Sequence, residues 1–282
     1  MRRLLVLPLL LALVACGDKA AVSPRASDPP SSSPPAHSYA ADGVVLRVSS
    51  EGGLAPVDRT RSLPYFTLYG DGRVMTLGAQ PAIYPGAAMP SVRVTRVDAA
   101  TVDWFAAEAR KAGVDGQERD YGDPRIADAT DTVFHLSDAT GTVDLRVYAL
   151  SEGDSGSGYT EDQQANRERL AAFRSLLTDP PKWPGTHTEE GEYEPASVAI
   201  YAGAYVADPQ ITHTTEIPWR GPDPAAGETH RAGLCTVVTG DALKATIGSL
   251  RRATTLTRWT YEGKAYAFRV RPLLPDEKGC LD

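Results

Sequence analysis

The chain has 282 residues, with 29 Lys and Arg residues against 36 Asp and Glu residues, and its formal net charge is −7. An acidic chain lacks the basic surface that binds a phosphate backbone, so nucleic acid is excluded as an expected partner. Apolar residues make up 42% and charged residues 23%, which is typical of a globular protein.

Residues 1–15 have the pattern of a secretory signal peptide. Two arginines precede the apolar run Leu4–Val14, which is too short to span a bilayer because a spanning helix needs about 20 residues. The run is followed by Ala15 and Cys16, and this Leu-Val-Ala-Cys sequence resembles the bacterial lipobox, in which the peptidase cuts before a cysteine that carries diacylglycerol. We expect Cys16 to be lipidated; an ordinary secretory signal with an unmodified cysteine is the alternative.

Loss of the signal peptide leaves 27 basic residues against 36 acidic ones, a net charge of −9. Such a surface is not expected to dock on anionic lipid by charge, so the membrane contact is assigned to the lipid, palmitate included, on Cys16. The sequence therefore predicts an extracytoplasmic protein that is anchored to the cell membrane by its N-terminal lipid. No cofactor is expected.

Residues 16–42 carry the lipidated cysteine and a tether rich in Pro, Ser and Ala. The tether holds almost no large apolar side chain, so it cannot bury enough surface to fold and is expected to be disordered. Its proline pairs favour polyproline II, in which such a segment extends to about 80 Å. The sequence thus predicts a folded domain that is held away from the lipid surface.

Apolar residues alternate along several segments of an N-terminal α+β part, residues 43–178. This pattern predicts strands at 44–48 and 92–97. It also predicts hairpins at 66–75 and 132–147. The first hairpin contains an Asp-Gly pair, which supplies the positive φ angles of a tight turn.

Three amphipathic helices are indicated by apolar spacing and by capping residues. Asp98 is a candidate N-cap for the first helix, and Gly113 is its C-terminal glycine. Thr160 and Gln163 form a capping box that opens the second helix. The third helix is predicted at 241–252.

Residues 179–195 are predicted to be a linker or long loop, because prolines, glycines and acidic residues follow one another there. Order resumes in a C-terminal α+β part, residues 196–282. Strands are predicted at 198–205 and 235–238, and a last hairpin at 256–270.

This mixture of hairpins and helices predicts an α+β fold with antiparallel sheets and about three amphipathic helices packed on them. The order strand, helix, hairpin occurs twice, in 92–148 and 235–270, and Asp98-Ala99 and Asp241-Ala242 occupy similar places in it. Two similar subdomains are one interpretation. Chance similarity between two capped helices is the other, and the thin sequence match slightly favours it.

Two cysteines remain once Cys16 is lipidated. Cys235 and Cys280 form an even pair in an oxidising location, which predicts a disulfide that closes a loop in the C-terminal part. Two free thiols are the alternative, which is uncommon outside the cytoplasm.

The sequence Gly-Asp-Ser-Gly at 153–156 matches the surroundings of the nucleophile in chymotrypsin-like proteases. A serine nucleophile needs a histidine base and an orienting acid. Upstream of Ser155 there are only His37 and His135, and neither has the sequence setting of that family. We therefore interpret the motif as a flexible loop, and catalytic residues stay unknown.

Three histidines, His187, His213 and His230, fall in one acidic region of the chain. Imidazole and carboxylate groups together suit zinc, so these residues are weak candidates for a metal site. Their spacing matches no recognised motif, and polar loops in an acidic protein are the alternative.

The sequence LPYFTLYGDGRV at 63–74, with the lipobox before it and IYPG at 83–86 after it, resembles a group of secreted lipoproteins of high-GC bacteria. The similarity covers roughly residues 43–113. It implies a structural hairpin and no assigned activity. The Gly-Asp-Gly tip at 70–72 is a candidate contact loop, because loops on rigid scaffolds carry function.

Taken together, these features favour a non-enzymatic binding or protein-interaction module of the cell envelope, whose partner is an envelope protein or a cell-wall ligand. The alternative is a hydrolase that acts on cell-wall glycan or peptide, in a metal-dependent form if the three histidines converge. The sequence leaves enzymatic activity open and favours its absence.

Overall fold

The computed structural model describes residues 39–53, 62–79, 83–152, 158–210, 214–230 and 232–280. Three α-helices lie in these ranges: α1 is Ala99–Ala112, α2 is Glu161–Leu177 and α3 is Gly240–Arg252. None of the helices described is both long and apolar enough to cross a membrane.

The ends of α1 and α2 follow from local side-chain chemistry. Asp98 accepts a hydrogen bond from the Thr101 N–H at 2.8 Å, and Gly113 ends α1 with a left-handed φ of 116°. The hydroxyl of Thr160 accepts from the Gln163 N–H at 3.3 Å, and the Gln163 amide oxygen accepts from the Thr160 N–H at 2.9 Å. Both predicted caps are confirmed.

Helix α3 begins one residue earlier than the sequence predicts. Thr239 is its N-cap and makes no side-chain capping bond. Asp241 therefore lies inside the first turn, where its carboxylate accepts a hydrogen bond from Lys244 at 2.9 Å. An acidic side chain in the first turn still interacts favourably with the positive end of the helix dipole.

The first sheet has seven strands, whose bounds are β1 Val44–Gly52, β2 Phe66–Tyr69, β3 Arg73–Leu77, β4 Val92–Val97, β5 Thr130–Asp138, β6 Gly141–Tyr148 and β7 His187–Glu192. They lie in the order β6-β5-β1-β2-β3-β4-β7, and each neighbouring pair is antiparallel. Tight hairpins join β2 to β3 and β5 to β6, as predicted.

The second sheet has six strands, whose bounds are β8 Ser197–Ala204, β9 Glu216–Pro218, β10 Glu228–His230, β11 Gly233–Thr239, β12 Arg258–Tyr261 and β13 Lys264–Pro272. Their order is β10-β11-β8-β13-β12-β9, and only the β12–β9 pair is parallel. Strand β8 lies inside the sheet, and its central residues are buried on both faces.

Each sheet packs against helices to form its own core. Helices α1 and α2 cover one face of the first sheet, where Phe105 lies 5.4 Å from Phe66 and 5.2 Å from Trp183 between ring centroids. Helix α3 covers one face of the second sheet, where Trp259 stacks on Phe268 at 5.0 Å. Burial of each such ring stabilises the fold by roughly 1.5–3 kcal/mol.

The connection between β3 and β4 leaves the first sheet and enters the core of the second. Ala88 and Met89 are 2% and 7% exposed and pack in the cluster around α3. The Ala88 N–H donates to the Ala253 carbonyl at 2.9 Å, and the Thr255 N–H donates to the Gly86 carbonyl at 2.9 Å. This connection is therefore fixed to the second sheet at its C-terminal half.

The chain crosses in the opposite direction after β13. Leu274 packs with Tyr69 and Met75 in a cluster separate from the core that α1 and α2 cover. The hydroxyl of Tyr193 donates to the Leu273 carbonyl at 3.0 Å. Each sheet thus receives apolar residues from a segment that belongs in sequence to the other.

Two ion pairs accompany this second crossing. Arg47 binds Asp276 at 2.7 Å, and Arg271 binds Glu277 at 2.5 Å. The Tyr69 hydroxyl also donates to Asp276, at 2.5 Å. Burial by itself raises the pKa of Asp276, but the hydrogen bonds from Arg47 and Tyr69 outweigh it, so the pKa of this carboxyl lies below its ordinary value.

The α+β class with antiparallel sheets and three helices is confirmed. The segment 179–195, predicted as a linker or long loop, contains a 3-10 turn, Pro180–Lys182, and strand β7. All six residues of β7 are polar or glycine, so the strand has no apolar alternation to signal it. It is held by its backbone pairing with β4 and by ion pairs such as Arg96–Glu190 at 2.8 Å.

The two predicted strand-helix-hairpin units do not share a topology. In the first sheet, three strands separate β4 from the hairpin β5-β6; in the second, β8 alone separates β11 from the hairpin β12-β13. In the first sheet the inner strand of the hairpin is β5, which comes first in the chain. In the second sheet the inner strand is β13, which comes second. The described residues therefore do not form two similar subdomains, and Ala36–Asp282 group as one compact unit that includes both sheets.

Candidate functional site

Several residues singled out in the sequence lie outside the described residues. These are Cys16, Ser155 and His213, together with His37 of the tether. His135, the other histidine upstream of Ser155, lies on β5, where its Nδ1 is 2.7 Å from a carboxylate oxygen of Asp144. Nothing structural is therefore assigned to the Gly-Asp-Ser-Gly motif.

The two described histidines of the predicted metal set lie in different sheets. His187 begins β7 and packs edge-on against Trp183 at 5.8 Å between ring centroids. His230 ends β10 and packs against Tyr201 at 4.9 Å, while its Nδ1 accepts the Ala232 N–H at 3.2 Å. Within the ranges described, no group of three or more His, Cys, Asp and Glu side chains is arranged to hold a metal ion.

Cys235 and Cys280 are disulfide-bonded, with their Cα atoms 6.2 Å apart. Cys235 lies on β11 in a small apolar cluster that also contains Tyr201 and Leu273. The bond fixes the C-terminal segment to the second sheet, on the opposite side of β8 from the core under α3. The cysteine pair is therefore a structural crosslink, in agreement with the sequence.

The Gly-Asp-Gly tip of the first hairpin is packed into the fold. Asp71 accepts a hydrogen bond from the Arg73 guanidinium at 2.6 Å. Gly72 has a φ of +86°, and a Cβ atom there would lie 2.3 Å from the Val97 carbonyl oxygen. Only glycine fits such a close backbone approach. The tip is thus a structural turn whose aspartate is already engaged by arginine.

An exposed apolar pair lies on the connection between β3 and β4. Ile83 and Tyr84 are 68% and 72% exposed. Four residues further on, Ala88 and Met89 are buried in the second core. The exposed pair therefore lies next to a segment whose side chains are fixed in that core. Adjacent large apolar side chains that are exposed to solvent are a feature of protein contact sites.

A cavity of about 650 Å³ lies beside β6, on the first sheet. It is formed between this strand and the loop that follows α1. Its lining is Gly113, Gly116, Gln117, Glu118, Arg119, Asp120, Tyr121, Val143, Asp144, Leu145 and Arg146. This size falls in the range of ligand sites in proteins.

Both arginines of the cavity are already paired with carboxylates. Arg119 binds both oxygens of Asp115 at 2.5 and 2.8 Å, which lowers the pKa of Asp115 to about 2. Arg146 binds Asp131 at 2.8 Å and also binds Glu51. Neither guanidinium is therefore available as an isolated positive charge for an anionic ligand.

The pKa values of Asp120 and Tyr121 in the cavity are shifted from their ordinary values. Hydrogen bonds from the Gly122 N–H and the Gln163 amide lower the pKa of Asp120. Burial raises the pKa of Tyr121. Both shifts move away from neutrality, whereas a general acid or base works best with a pKa near the operating pH. Neither Asp120 nor Tyr121 is therefore poised to act as a general acid or base at neutral pH.

The charge around the cavity is negative. Two arginines, Arg119 and Arg146, face six carboxylates of the lining and of its ion pairs: Glu51, Asp115, Glu118, Asp120, Asp131 and Asp144. The formal net charge of this set is −4. A ligand of this surface is expected to carry positive charge.

No local pattern in the sequence predicts this cavity. Its two walls come from residues 113–121 and 143–146, which are separated in the chain by the whole of β5 and its hairpin turn. In the sequence, the glycines at 113 and 116 predict only a turn. The alternation of apolar and polar residues in β6 predicts only a strand. No family model, curated protein sequence or solved structure matches this chain, so its function is inferred from the features of the molecule described above.

Proposed function

We propose that this protein is a lipid-anchored, extracytoplasmic binding module of the cell envelope, with no enzymatic activity of its own. Its partner is an envelope protein that accepts the apolar pair Ile83 and Tyr84. The observation that carries the proposal is this pair, which is exposed to solvent while the residues after it are fixed in the second core.

Three features support the location. The leader ends in Ala15-Cys16, a tether at 17–42 follows, and Cys235 and Cys280 form a disulfide. Disulfides persist in oxidising compartments outside the cytoplasm. One acyl chain gives only reversible membrane binding, so stable anchoring requires the multiple chains of a processed lipoprotein.

The conformational entropy of binding supports the choice of Ile83 and Tyr84. An interface must immobilise the side chains and loops that form it, which costs about 0.5–1.5 kcal/mol for each flexible side chain. Here the hydrogen bonds of Ala88 and Gly86 already hold the residues that directly follow the pair. Tyrosine is enriched among residues that dominate binding energy. A pair next to a fixed segment is therefore an efficient contact.

Metabolic labelling tests the anchor. Cells that express the full chain are grown with an alkyne-bearing palmitate, and the labelled protein is followed through membrane fractionation. The wild-type protein is expected to carry label and to stay in the membrane fraction, and Cys16→Ser is expected to do neither. Equal labelling of both proteins, or none, contradicts the anchor.

Chemical cross-linking in intact cells tests the binding function. A tagged full-length protein is expected to capture one envelope protein reproducibly, and the double variant Ile83→Ser/Tyr84→Ser is expected to lose it. Val206→Ser is the matched control, because Val206 is 83% exposed and lies elsewhere. Capture that is equal in all three proteins, or is lost equally in the control, contradicts the proposal.

A further inference from the structure

Three of the four sheet edges in the part of the chain that the structure describes are protected against an additional strand. The edge strands β9 and β10 are three residues long. Edge strand β7 carries Glu189, Glu190 and Glu192, and its pairing with β4 shifts register between Val94 and Thr95. Short length, charge and bulges are the usual means by which proteins prevent strand addition.

The fourth edge, β6, is neither short nor bulged, and its charged residues, Asp144 and Arg146, project from one face only. It is eight residues long and pairs with β5 in continuous register, without a bulge. Val143 and Leu145 are half-buried and pack against the first core, whereas Asp144 and Arg146 project from the opposite face of the sheet; all four residues border the cavity. This edge is therefore long, regular and apolar on one face, which are the properties of a template for another strand.

The register of β6 identifies which backbone groups point outward. The Ala149 N–H donates to the Thr130 carbonyl at 2.8 Å. In an antiparallel pair, the backbone groups of every second residue before Ala149, including Val147 and Leu145, therefore bond to β5. The backbone N–H and C=O groups of Tyr148, and of the residues that alternate with it, point away from β5. Arg167 donates to the Tyr148 carbonyl at 3.1 Å, in agreement with this direction.

The N–H and C=O groups of Asp144 and Arg146 therefore point away from β5, at the mouth of the cavity. An added strand lies about 4.8 Å from its neighbour. Bonded to these two residues, it would place alternate side chains over Val143 and Leu145. Its other side chains would lie beside Asp144, and the whole strand would lie within the net −4 surface described above.

We propose that β6 takes up an extended, basic segment of a partner protein as an eighth strand of the first sheet. The segment alternates apolar residues, which pack on Val143 and Leu145, with Lys or Arg, which meet the acidic rim. A second copy of this chain is disfavoured because it would bring two surfaces of net charge −4 together. The site is separate from Ile83 and Tyr84 and goes beyond the proposed function.

Binding of designed peptides to the full chain in detergent tests this site. The probe is a peptide of about seven residues in which Lys alternates with Val, a normal strand length. One comparison peptide replaces Lys with Glu, and another is N-methylated at alternate residues on its bonding edge. Fluorescence anisotropy gives the affinity, and hydrogen exchange of the Asp144 and Arg146 amides locates the contact. We expect binding and amide protection with the Lys peptide alone.

Charge-reversal variants sharpen the test. Asp120→Lys and Asp144→Lys are each expected to weaken the binding of the Lys peptide about fivefold, because each replaces an exposed negative charge with a positive one. The matched control is Glu228→Lys, which makes the same charge change on an exposed residue of the second sheet. The control and the Ile83→Ser/Tyr84→Ser variant are expected to bind as the wild-type protein does.

Four results would overturn the proposal. They are equal binding of the N-methylated or Glu peptide, protection confined to other amides, no binding at about 1 mM peptide, and a dimer that forms through β6 in the absence of peptide. Each would leave the role of Ile83 and Tyr84 untouched, because the peptide assay does not involve those side chains. Failure of the cellular capture experiment would likewise leave the β6 site standing.

Discussion

Arg47 and Asp276 are 229 residues apart in the chain and meet through two hydrogen bonds, of 3.0 and 2.7 Å. Arg47 lies on β1, and Asp276 lies in the segment after the last strand of the second sheet. Their contact therefore requires both sheets to be folded. Because Ala88 and Met89 cross in the opposite direction, each sheet completes part of its surface with residues from the other. We infer that the two sheets fold and unfold as one unit.

Asp276→Ala is expected to lower the free energy of unfolding by about 1–3 kcal/mol, because hydrogen bonds to charged groups contribute this much and Arg47 would lose its partner. Urea unfolding measures the change. Asp241→Ala is the control, because the Asp241 side chain is 96% exposed and its ion pair with Lys244 is worth little. Equal effects of the two substitutions would show that the Arg47–Asp276 contact contributes no stability.

Acid is expected to destabilise the fold between about pH 4 and pH 2. Hydrogen bonds from Arg110 lower the pKa of Asp138 to about 2, and the pKa of Asp276 is also lowered. A carboxyl with a depressed folded-state pKa stabilises the protein fully above its unfolded pKa of about 4 and loses that effect as the pH falls through the folded value.

Melting temperatures recorded from pH 7 to pH 2 test this dependence. Asp138→Asn is expected to be less stable at pH 7 and to lose less stability on acidification, because the group that titrates has been removed. A variant whose acid profile runs parallel to that of the wild-type protein would contradict the assignment of Asp138.

Reduction of the Cys235–Cys280 bond is expected to lower the stability by roughly 4 kcal/mol, the chain-entropy value for its sequence separation of 45 residues. The measurement is a melting curve of the full chain with and without reductant, with Cys235→Ser/Cys280→Ser as the variant that reductant cannot change. Alkylation of two thiols in the untreated, denatured protein would contradict the bond.

Met89→Ala is expected to destabilise the protein by about 2 kcal/mol or more, because it leaves a cavity in the second core. The matched control is Ile83→Ala, six residues earlier on the same connection, where the side chain is exposed and the effect is expected within about 0.5 kcal/mol. In a Trp104→Phe/Trp183→Phe background, which removes the two tryptophans of the first core, fluorescence reports on Trp219 and Trp259 in the second core. Far-UV circular dichroism reports largely on α1 and α2. Two separate transitions would contradict unfolding as one unit.

Features that depend on neighbouring residues were predictable from the sequence. Asp98 and Gly113 bound α1, and the Thr160 capping box opens α2, because a cap is a contact between residues three or four positions apart. The hairpins follow from alternation and from turn residues in the same way. The Cys235–Cys280 pair was predictable from counting, because only two cysteines remain once Cys16 is assigned to the predicted lipobox.

Features that depend on distant residues were not predictable. Strand β7 is polar and owes its existence to β4 and to ion pairs such as Arg96–Glu190. The connection through Ala88 has no local signal that it enters another sheet. The exposed state of Ile83 and Tyr84, and the cavity beside β6, follow only from the packing of segments far apart in sequence. The candidate sites therefore emerge with the fold.

A photo-reactive amino acid placed at Tyr84 of the full chain in living cells tests the central claim most directly. The same amino acid at Val206 is the matched control, since both side chains are exposed. Illumination is expected to link position 84, and not position 206, to one envelope protein. Cys16→Ser is expected to abolish that link, because we propose that the lipid on Cys16 places the protein at the membrane. Equal linkage at both positions, or linkage at neither, would contradict a tethered module that binds through Ile83 and Tyr84.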